Sequence, residues 1–324
     1  MVKKQKNSSA IYSCRRLITR RNFIKKQGQA ALFAAAAAKA GFMFPAYAGA
    51  DSYPHISIAK GGLEEATKAA VSTLGGMKVF VSQGDKVVIK PNMSFAHPPE
   101  RATNTHPEVV RALSEMCIEA GAASVMVLDN PLQGAELCLE RSGIQEACRL
   151  VPQTSVHAFS SSRFFREVRL DQGKNMRQAS VMQDVLEADV LIAAPVAKSH
   201  SATGVSLSMK GMMGLIRDRG IMHRRYNLSS AIVDLCTLLR ADLTVIDATR
   251  VLSSHGPYGP GEVISARTII ASRDMVAADA KTVEMFPWYG RDIRPDQVAH
   301  IREAHERGLG RMDLENLETR TVTA

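Results

Sequence analysis

The sequence predicts an α/β fold with a mainly parallel, doubly wound sheet and helices on both faces. Two observations support this prediction. Short apolar runs recur along the chain, and segments of helical periodicity lie between them. The runs are almost continuously apolar, which is typical of strands that are covered on both faces. Alternation of such strands with helices favours a parallel sheet.

Each predicted element follows from a local pattern. Strands are predicted at 87–89, 121–128, 190–195, 243–247 and 268–271. The helix between the first two begins at Pro107, which suits a first helical turn, and ends at Gly121. A further helix is predicted at 228–239, and a packed amphipathic helix with surface histidines at 295–309. The more polar segment from about 132 to 185 is interpreted as an insertion or a small subdomain.

The first 48 residues differ in charge from the rest of the chain. They contain ten of the 41 Lys and Arg but none of the 32 Asp and Glu, so the net charge of +9 arises there. The remainder is nearly neutral, and the composition therefore gives no support to a nucleic-acid partner. Arg20, Arg21 and Phe23 precede an Ala-rich run and small residues near 48–50. This pattern resembles a twin-arginine signal peptide that is cleaved near 48–50.

The leader predicts that the twin-arginine translocase exports the folded protein to the periplasm. Its Ala-rich run is weakly apolar, and Lys39 interrupts it, so the run fits a membrane span poorly. An inner-membrane anchor made by an uncleaved signal is the alternative. Cleavage leaves residues 51–324, about 275 in number, which is enough for a single α/β domain.

The cysteines beyond the leader form no C-x-x-C pair. They are Cys117, Cys138, Cys148 and Cys236. The sequence therefore contains no local iron–sulfur or zinc signature. We favour buried structural roles for all four, with a disulfide between Cys138 and Cys148 as an alternative in an oxidising compartment.

Polar residues follow four of the predicted strands. The nucleotide-binding patterns G-x-x-x-x-G-K-[ST] and G-x-G-x-x-G are absent. Ligands of open α/β sheets bind beyond the carboxyl ends of the strands, so we expect these polar residues to form one site. The candidate substrate-binding residues are Lys90, Asn92, Lys198, Asp247 and Asp279. Ordinary loop polarity is the alternative explanation.

The densest polar stretch supplies the candidate catalytic residues His200, Lys210 and His223. Lysines offer positive charge to an anionic substrate, and histidines transfer protons or ligate a metal ion. His200 and His223 are therefore also the candidate metal ligands. The alternative is that each histidine is a hydrogen-bonded structural residue.

A set of motifs resembles a known family. The order VVIKPN, THPEVVRAL, APVAKSH, TGVSLSMKGMMGLI, AIVDL, LTVIDAT, GPYGPG and ASRDMVAADA extends over about residues 87–280. It resembles the domain of unknown function 362. Many members of that family carry ferredoxin-like cysteine segments and are described as iron–sulfur proteins. This chain lacks those cysteines, so the resemblance implies an iron–sulfur cluster only through a partner protein.

A second, fainter similarity is to nickel-dependent lactate racemase. That family places a His, a Lys and a later His around a Gly-rich turn, where they serve a nickel pincer cofactor. The residues His200, Lys210 and His223 take the corresponding places in this sequence. The resemblance therefore implies a distant racemase-like enzyme as one hypothesis.

The leading hypothesis is an exported enzyme that binds a small anionic molecule at the strand ends. The competing hypothesis is an accessory protein of a periplasmic redox enzyme, without turnover of its own. A solute-binding protein is a third class, although the pattern does not predict the two lobes of such proteins. The sequence alone does not identify a cofactor.

Overall fold

The computed structural model describes residues 53–324. The predicted signal peptide, with Arg20, Arg21 and Phe23, lies outside the described residues. The strands are β1 Ile56–Lys60, β2 Lys86–Pro91, β3 Ser124–Asp129, β4 Thr154–Ala158, β5 Phe165–Arg169, β6 Gln178–Met182, β7 Val190–Ala194, β8 Val196–His200, β9 Gly204–Ser206, β10 Leu243–Leu252, β11 Val263–Ser272 and β12 Thr319–Thr323.

The helices of the described part of the chain are short. They are α1 Leu63–Thr73, α2 Pro107–Glu119, α3 Ala135–Ser142, α4 Ile144–Cys148, α5 Gln183–Glu187, α6 Ser208–Gly211, α7 Gly220–Arg225, α8 Leu228–Cys236, α9 Met275–Met285 and α10 Ala299–Glu306. Helix α2 begins as its sequence predicts, with Pro107 in the first turn and the His106 side chain accepting the amide of Glu108. Asp274 caps α9 by accepting the amides of Val276 and Ala277.

The main sheet has the strand order β12-β1-β11-β10-β7-β2-β3-β4. Its central pairs, from β10 through β7, β2 and β3 to β4, are parallel. Strand β11 is antiparallel to both of its neighbours, β10 and β1, while β12 is parallel to β1. The prediction of an α/β fold with a mainly parallel sheet is confirmed.

Both faces of this sheet are covered. On one face α1 and α2 bury side chains such as Val71 and Leu113 against Ile89 and Ile192. On the other face α8 and α9 bury Ile232 and others against the opposite side of the strands. Successive side chains of a strand point to opposite faces, so a strand covered on both sides is apolar at consecutive positions where it crosses the core. This explains the continuous apolar runs of β2 and β7.

The segment predicted as an insertion contributes to two sheets. Its first part supplies β4, which pairs with β3 at the edge of the main sheet. Its second part forms the separate antiparallel ribbon of β5 and β6. The four cysteines beyond the leader are buried free thiols, including Cys138 and Cys148. Within residues 53–324, no helix has the length and apolar character needed to cross a membrane.

Candidate functional site

A small cleft lies where the order of the parallel strands reverses. Strands β2, β3 and β4 follow one another outward in one direction, whereas β7 and β10 lie on the other side of β2. The loops after β2 and β7 therefore diverge and leave a crevice between them. Its volume is about 210 Å³. The cleft thus has the size of a small metabolite.

Strand β8 places two predicted residues in this cleft. Pro195 interrupts the strand between β7 and β8, and the Asn92 side-chain oxygen accepts the amide of Val196 just after the break at 3.1 Å. Lys198 and His200 are two residues apart on β8 and therefore share one face of the strand. Both are buried and both line the cleft. The amine of Lys198 donates to the carbonyl oxygen of Thr103 and lies 5.3 Å from the centre of the Phe95 ring.

A buried ion pair forms the floor of the cleft. The Lys90 Nζ lies 3.3 Å from Oδ1 of Asp129, the last residue of β3. The other carboxylate oxygen of Asp129 accepts the amide of Met93 at 2.8 Å and the hydroxyl of Ser94 at 2.9 Å. A Cβ atom on Gly214 would lie only 2.3 Å from Asp129 Oδ1, so the absence of a side chain there lets the backbone cover the pair.

Helix α6 carries Lys210 into the cleft, and Asp279 of α9 holds this helix in place. The two carboxylate oxygens of Asp279 accept the amides of Ser208 at 2.9 Å and Met209 at 3.0 Å. Burial raises the pKa of Asp279 to about 7, although the hydrogen bonds from Ser208 and Met209 act in the opposite direction. Asp279 is thus a positioning residue for Lys210.

Arg219 and His223 close another side of the cleft. Arg219 immediately precedes α7, and its Nη1 donates to Ser94 Oγ at 3.4 Å. Its Nη2 is buried and has no hydrogen-bond partner among the described residues. The imidazole of His223, on α7, lies 6.2 Å from that of His200, measured between ring centres. A buried guanidinium nitrogen without a partner is costly, unless a ligand completes its hydrogen bonds.

The lysines of the cleft have strongly altered proton affinities. Burial lowers the pKa of Lys198 to about 7, with Asp129 partly offsetting the effect and Lys90 adding to it. Burial also lowers the pKa of Lys210 to about 7, and the charge of Arg219 contributes. Burial lowers the pKa of Lys90, and the negative charge of Asp129 offsets only part of this effect. Lys198 and Lys210 can therefore exchange protons near neutral pH, which ordinary surface lysines cannot do.

His200 is neutral and its tautomer follows from its hydrogen bond. Burial lowers the pKa of His200 to about 3, and the positive charge of Lys210 adds to the effect. The Nδ1 of His200 accepts the amide of Ala202 at 3.1 Å, so the ring proton is assigned to Nε2. His200 therefore presents an N–H donor. Burial also lowers the pKa of His223, so its neutral imidazole can accept a proton.

The predicted metal ligands do not fit a metal ion in this arrangement. In the described part of the chain no three or more His, Cys, Asp or Glu side chains converge on a position where they could hold one. The protonated Nε2 of His200 has no free lone pair, and Lys198 and Lys210 add positive charge beside it. A donor set of this kind favours an anion over a metal cation.

The structure places six of the eight predicted site residues in the lining of the cleft. They are Lys90, Asn92, Lys198, His200, Lys210 and His223. The other two, Asp247 and Asp279, lie outside the lining. Asp247 is fully buried and accepts the amides of His106 at 2.8 Å and Thr249 at 3.0 Å. It therefore holds the first turn of helix α2 against β10.

Sequence reasoning missed Arg219 and misplaced one histidine. Arg219 directly follows the exposed charged residues Arg217 and Asp218, and no local pattern distinguishes it from them. The prediction that the C-terminal histidines lie on the surface is wrong for His300, which is fully buried in α10. Neither ring nitrogen of His300 has a hydrogen-bond partner among the described residues.

The fold and the cleft define an α/β protein with a cationic crevice at the strand-order reversal. The family model described as "Domain of unknown function (DUF362)" matches residues 87–284, more than half of the chain, and the chain belongs to this family. The resemblance found in the sequence motifs is thereby confirmed.

The individual proteins that are similar to this chain include a thylakoid-associated protein and a lactate racemase apoprotein. A thylakoid-associated protein of Synechocystis sp. is 25% identical over 228 residues, which cover 68% of this chain and 68% of that protein. The lactate racemase apoprotein from Thermoanaerobacterium thermosaccharolyticum is similar in structure, with a TM-score of 0.46 and 14% identity. That alignment covers 75% of this chain and 59% of the racemase chain.

Proposed function

We propose that this protein is an exported enzyme that binds a small anionic substrate in the cleft and transfers protons to or from it. The observation that carries the proposal is the excess of positive groups. Lys90, Lys198, Lys210 and Arg219 line the cleft, and among residues 53–324 Asp129 is the one carboxylate paired with any of them. Buried positive charge without a counter-ion is unstable, and an anionic ligand relieves it.

The proposed roles follow from the geometry of each group. The unpartnered Nη2 of Arg219 and the amine of Lys210 bind the negative charge of the substrate, and the Nε2–H of His200 donates a hydrogen bond to it. His223 stays neutral and is less buried than His200, so it serves as the proton acceptor. Lys198, with a pKa lowered to about 7, supplies or removes a proton at neutral pH.

Anion binding is tested by calorimetry with sulfate, phosphate, malonate and succinate on purified protein. The variants Arg219→Gln and Lys210→Met should each weaken the binding of the best anion about tenfold or more, because each removes one charge-assisted hydrogen bond. Arg224→Gln is the matched control, since Arg224 lies on α7, the helix that directly follows Arg219, and has an exposed side chain. Equal affinities in all four proteins would refute the assignment of the site.

A measurement of turnover distinguishes the enzyme hypothesis from the hypothesis of an accessory protein. For each panel anion that binds and carries hydrogen on carbon, incorporation of deuterium from D₂O is followed by NMR. The proposal expects incorporation that His223→Phe abolishes while binding persists. Binding without incorporation for every such anion would favour the accessory role beside a periplasmic redox enzyme.

The export part of the proposal is supported by the leader. Arg20 and Arg21 precede a weakly apolar run and small residues near 48–50. The twin-arginine pathway carries folded proteins, which suits a domain whose cysteines are buried free thiols. Replacing Arg20 and Arg21 together by Lys should leave the precursor in the cytoplasmic fraction of a host with this pathway. Periplasmic protein at the wild-type level would contradict export by this route.

A further inference from the structure

The mouth of the cleft differs chemically from its floor. Lys90 at the floor, and Lys198 and Lys210 on the walls, are at most 8% exposed, whereas Leu132 at the rim is 56% exposed. Leu132 lines the cleft together with Phe95 and Pro257. A ligand that occupies the cleft therefore meets cations at its inner end and apolar groups at its outer end.

Three loops meet at this rim and are fastened to one another. The amides of Leu132 and Gln133 donate to the carbonyl oxygen of Ser94 at 3.0 and 3.3 Å. The side-chain oxygen of Gln133 accepts the amide of Ala96 at 2.6 Å. These bonds join the loop after β3 to the loop after β2. The exposed leucine is therefore held in a defined position beside the cleft.

The third loop adds an aromatic group. Gly256 donates its amide to Ser199 Oγ at 2.9 Å, which fixes the loop that follows β10 onto β8. Tyr258 of this loop packs edge-on against Phe95, with 5.5 Å between ring centres, and against His97 at 4.7 Å. Even so, 48% of Tyr258 is exposed. The Tyr258 hydroxyl lies 3.5 Å from Nε2 of Gln133, so the exposed tyrosine stands beside the rim loop that carries Leu132, just outside the residues that line the cleft.

We infer that the substrate is an amphiphilic anion, with a carboxylate or phosphate head on the lysines and Arg219 and an apolar or aromatic body that leaves the cleft against Leu132 and the neighbouring Tyr258. This inference rests on the proposed function and adds the substrate class. Large apolar side chains at a pocket rim gain free energy by covering apolar ligand surface, whereas a purely polar anion leaves them in water. Leu132 and Tyr258 are thus the specificity-determining residues.

The test compares ligands that share a head group and differ in their apolar body. The pairs are methyl phosphate with phenyl phosphate and acetate with phenylacetate, measured by calorimetry at one fixed pH. In the wild-type protein the phenyl ligand of at least one pair should bind about tenfold more tightly than its partner, which corresponds to partial burial of one ring. Leu132→Ser and Tyr258→Ser should each remove most of this preference without changing the affinity for the small partner.

Leu150→Ser is the control, because Leu150 is a leucine that is 79% exposed and does not line the cleft. It should keep the full preference for the phenyl ligand. Equal affinity for the two members of both pairs would overturn this inference and leave the proposed anion site standing. Absence of binding by all four ligands, together with the simple anions, would instead refute the proposed function. Retention of the preference in both rim variants would also overturn the inference.

Discussion

At the scale of single residues, Asp129 determines how much positive charge the cleft offers to a ligand. Its carboxylate pairs with Lys90 and also accepts bonds from Met93 and Ser94. It is therefore already engaged, and its charge offsets only part of the effect of burial on Lys198. The remaining cations are left for a ligand from solution.

His300 is a fully buried residue of α10 whose pKa is affected by the charge of Lys210. Burial lowers its pKa to about 3, and the charge of Lys210 contributes. Both of its nitrogens lack hydrogen-bond partners among the described residues. Such a group stabilises the fold less than an apolar side chain of similar size.

We predict that His300→Leu stabilises the protein by about 1–3 kcal/mol near neutral pH. The gain should grow as the pH falls below about 6.5, by about 1.4 kcal/mol per unit, because the unfolded chain then protonates His300 while the folded protein does not. Urea unfolding at several pH values measures this difference.

His305→Leu on the same helix is the comparison. The Nδ1 of His305 accepts the amide of Met312 at 3.3 Å, so this substitution should destabilise the protein. A loss of stability in His300→Leu, similar to that of His305→Leu, would show that His300 has a partner that stabilises the folded state.

The residue types in the sequence were enough to predict six of the residues that line the cleft, but not all of its charged groups or the contacts that hold them. Lysines and histidines beside Gly and Ser at strand ends are unusual enough to predict a site. Arg219 carries no such signal, because its role depends on burial against Ser94, which only the folded chain creates. Asp279 was among the predicted substrate-binding residues, but its hydrogen bonds to α6 could not be predicted, since its partners are 70 and 71 positions away along the sequence.

At the scale of elements, the hairpin of β8 and β9 is the decisive feature. It carries Lys198 and His200, and its polar sequence gives no strand signal. Residues of this hairpin are extended because β8 pairs with the outer half of β10 and with β9. Tertiary pairing thus overrides local pattern here, whereas β2, β3, β7 and α2 were predictable from apolar periodicity and capping residues.

The edge strands were also beyond prediction. Strand β12 is mostly exposed and has the sequence TRTVT, which carries no buried apolar stripe. It is a strand because it pairs in parallel with β1, which is more than 250 residues earlier in the chain. Pairing between strands that are this far apart in the sequence leaves no pattern in the local sequence of either strand.

At the scale of the whole molecule, the net positive charge and the positive side chains of the cleft lie in different parts of the chain. The leader holds the excess of basic residues, and the domain beyond it is nearly neutral overall. Within that neutral domain, the fold concentrates Lys90, Lys198, Lys210 and Arg219 in one cleft. A near-zero total charge therefore hides a strongly cationic site, which composition alone could not reveal.

The most direct test of the anion site is the pH dependence of sulfate affinity, measured by calorimetry from about pH 6 to about pH 9. Sulfate keeps its two negative charges over this range, so any change in affinity comes from the protein. Because burial lowers the pKa of both Lys198 and Lys210 to about 7, these lysines lose their charge as the pH rises.

The account predicts that sulfate binds most tightly below about pH 7, and that affinity falls about tenfold per pH unit above it for each lysine that must be protonated. An affinity that stays constant over the whole range, or no binding at any pH, would contradict the central claim that these buried lysines bind the anion.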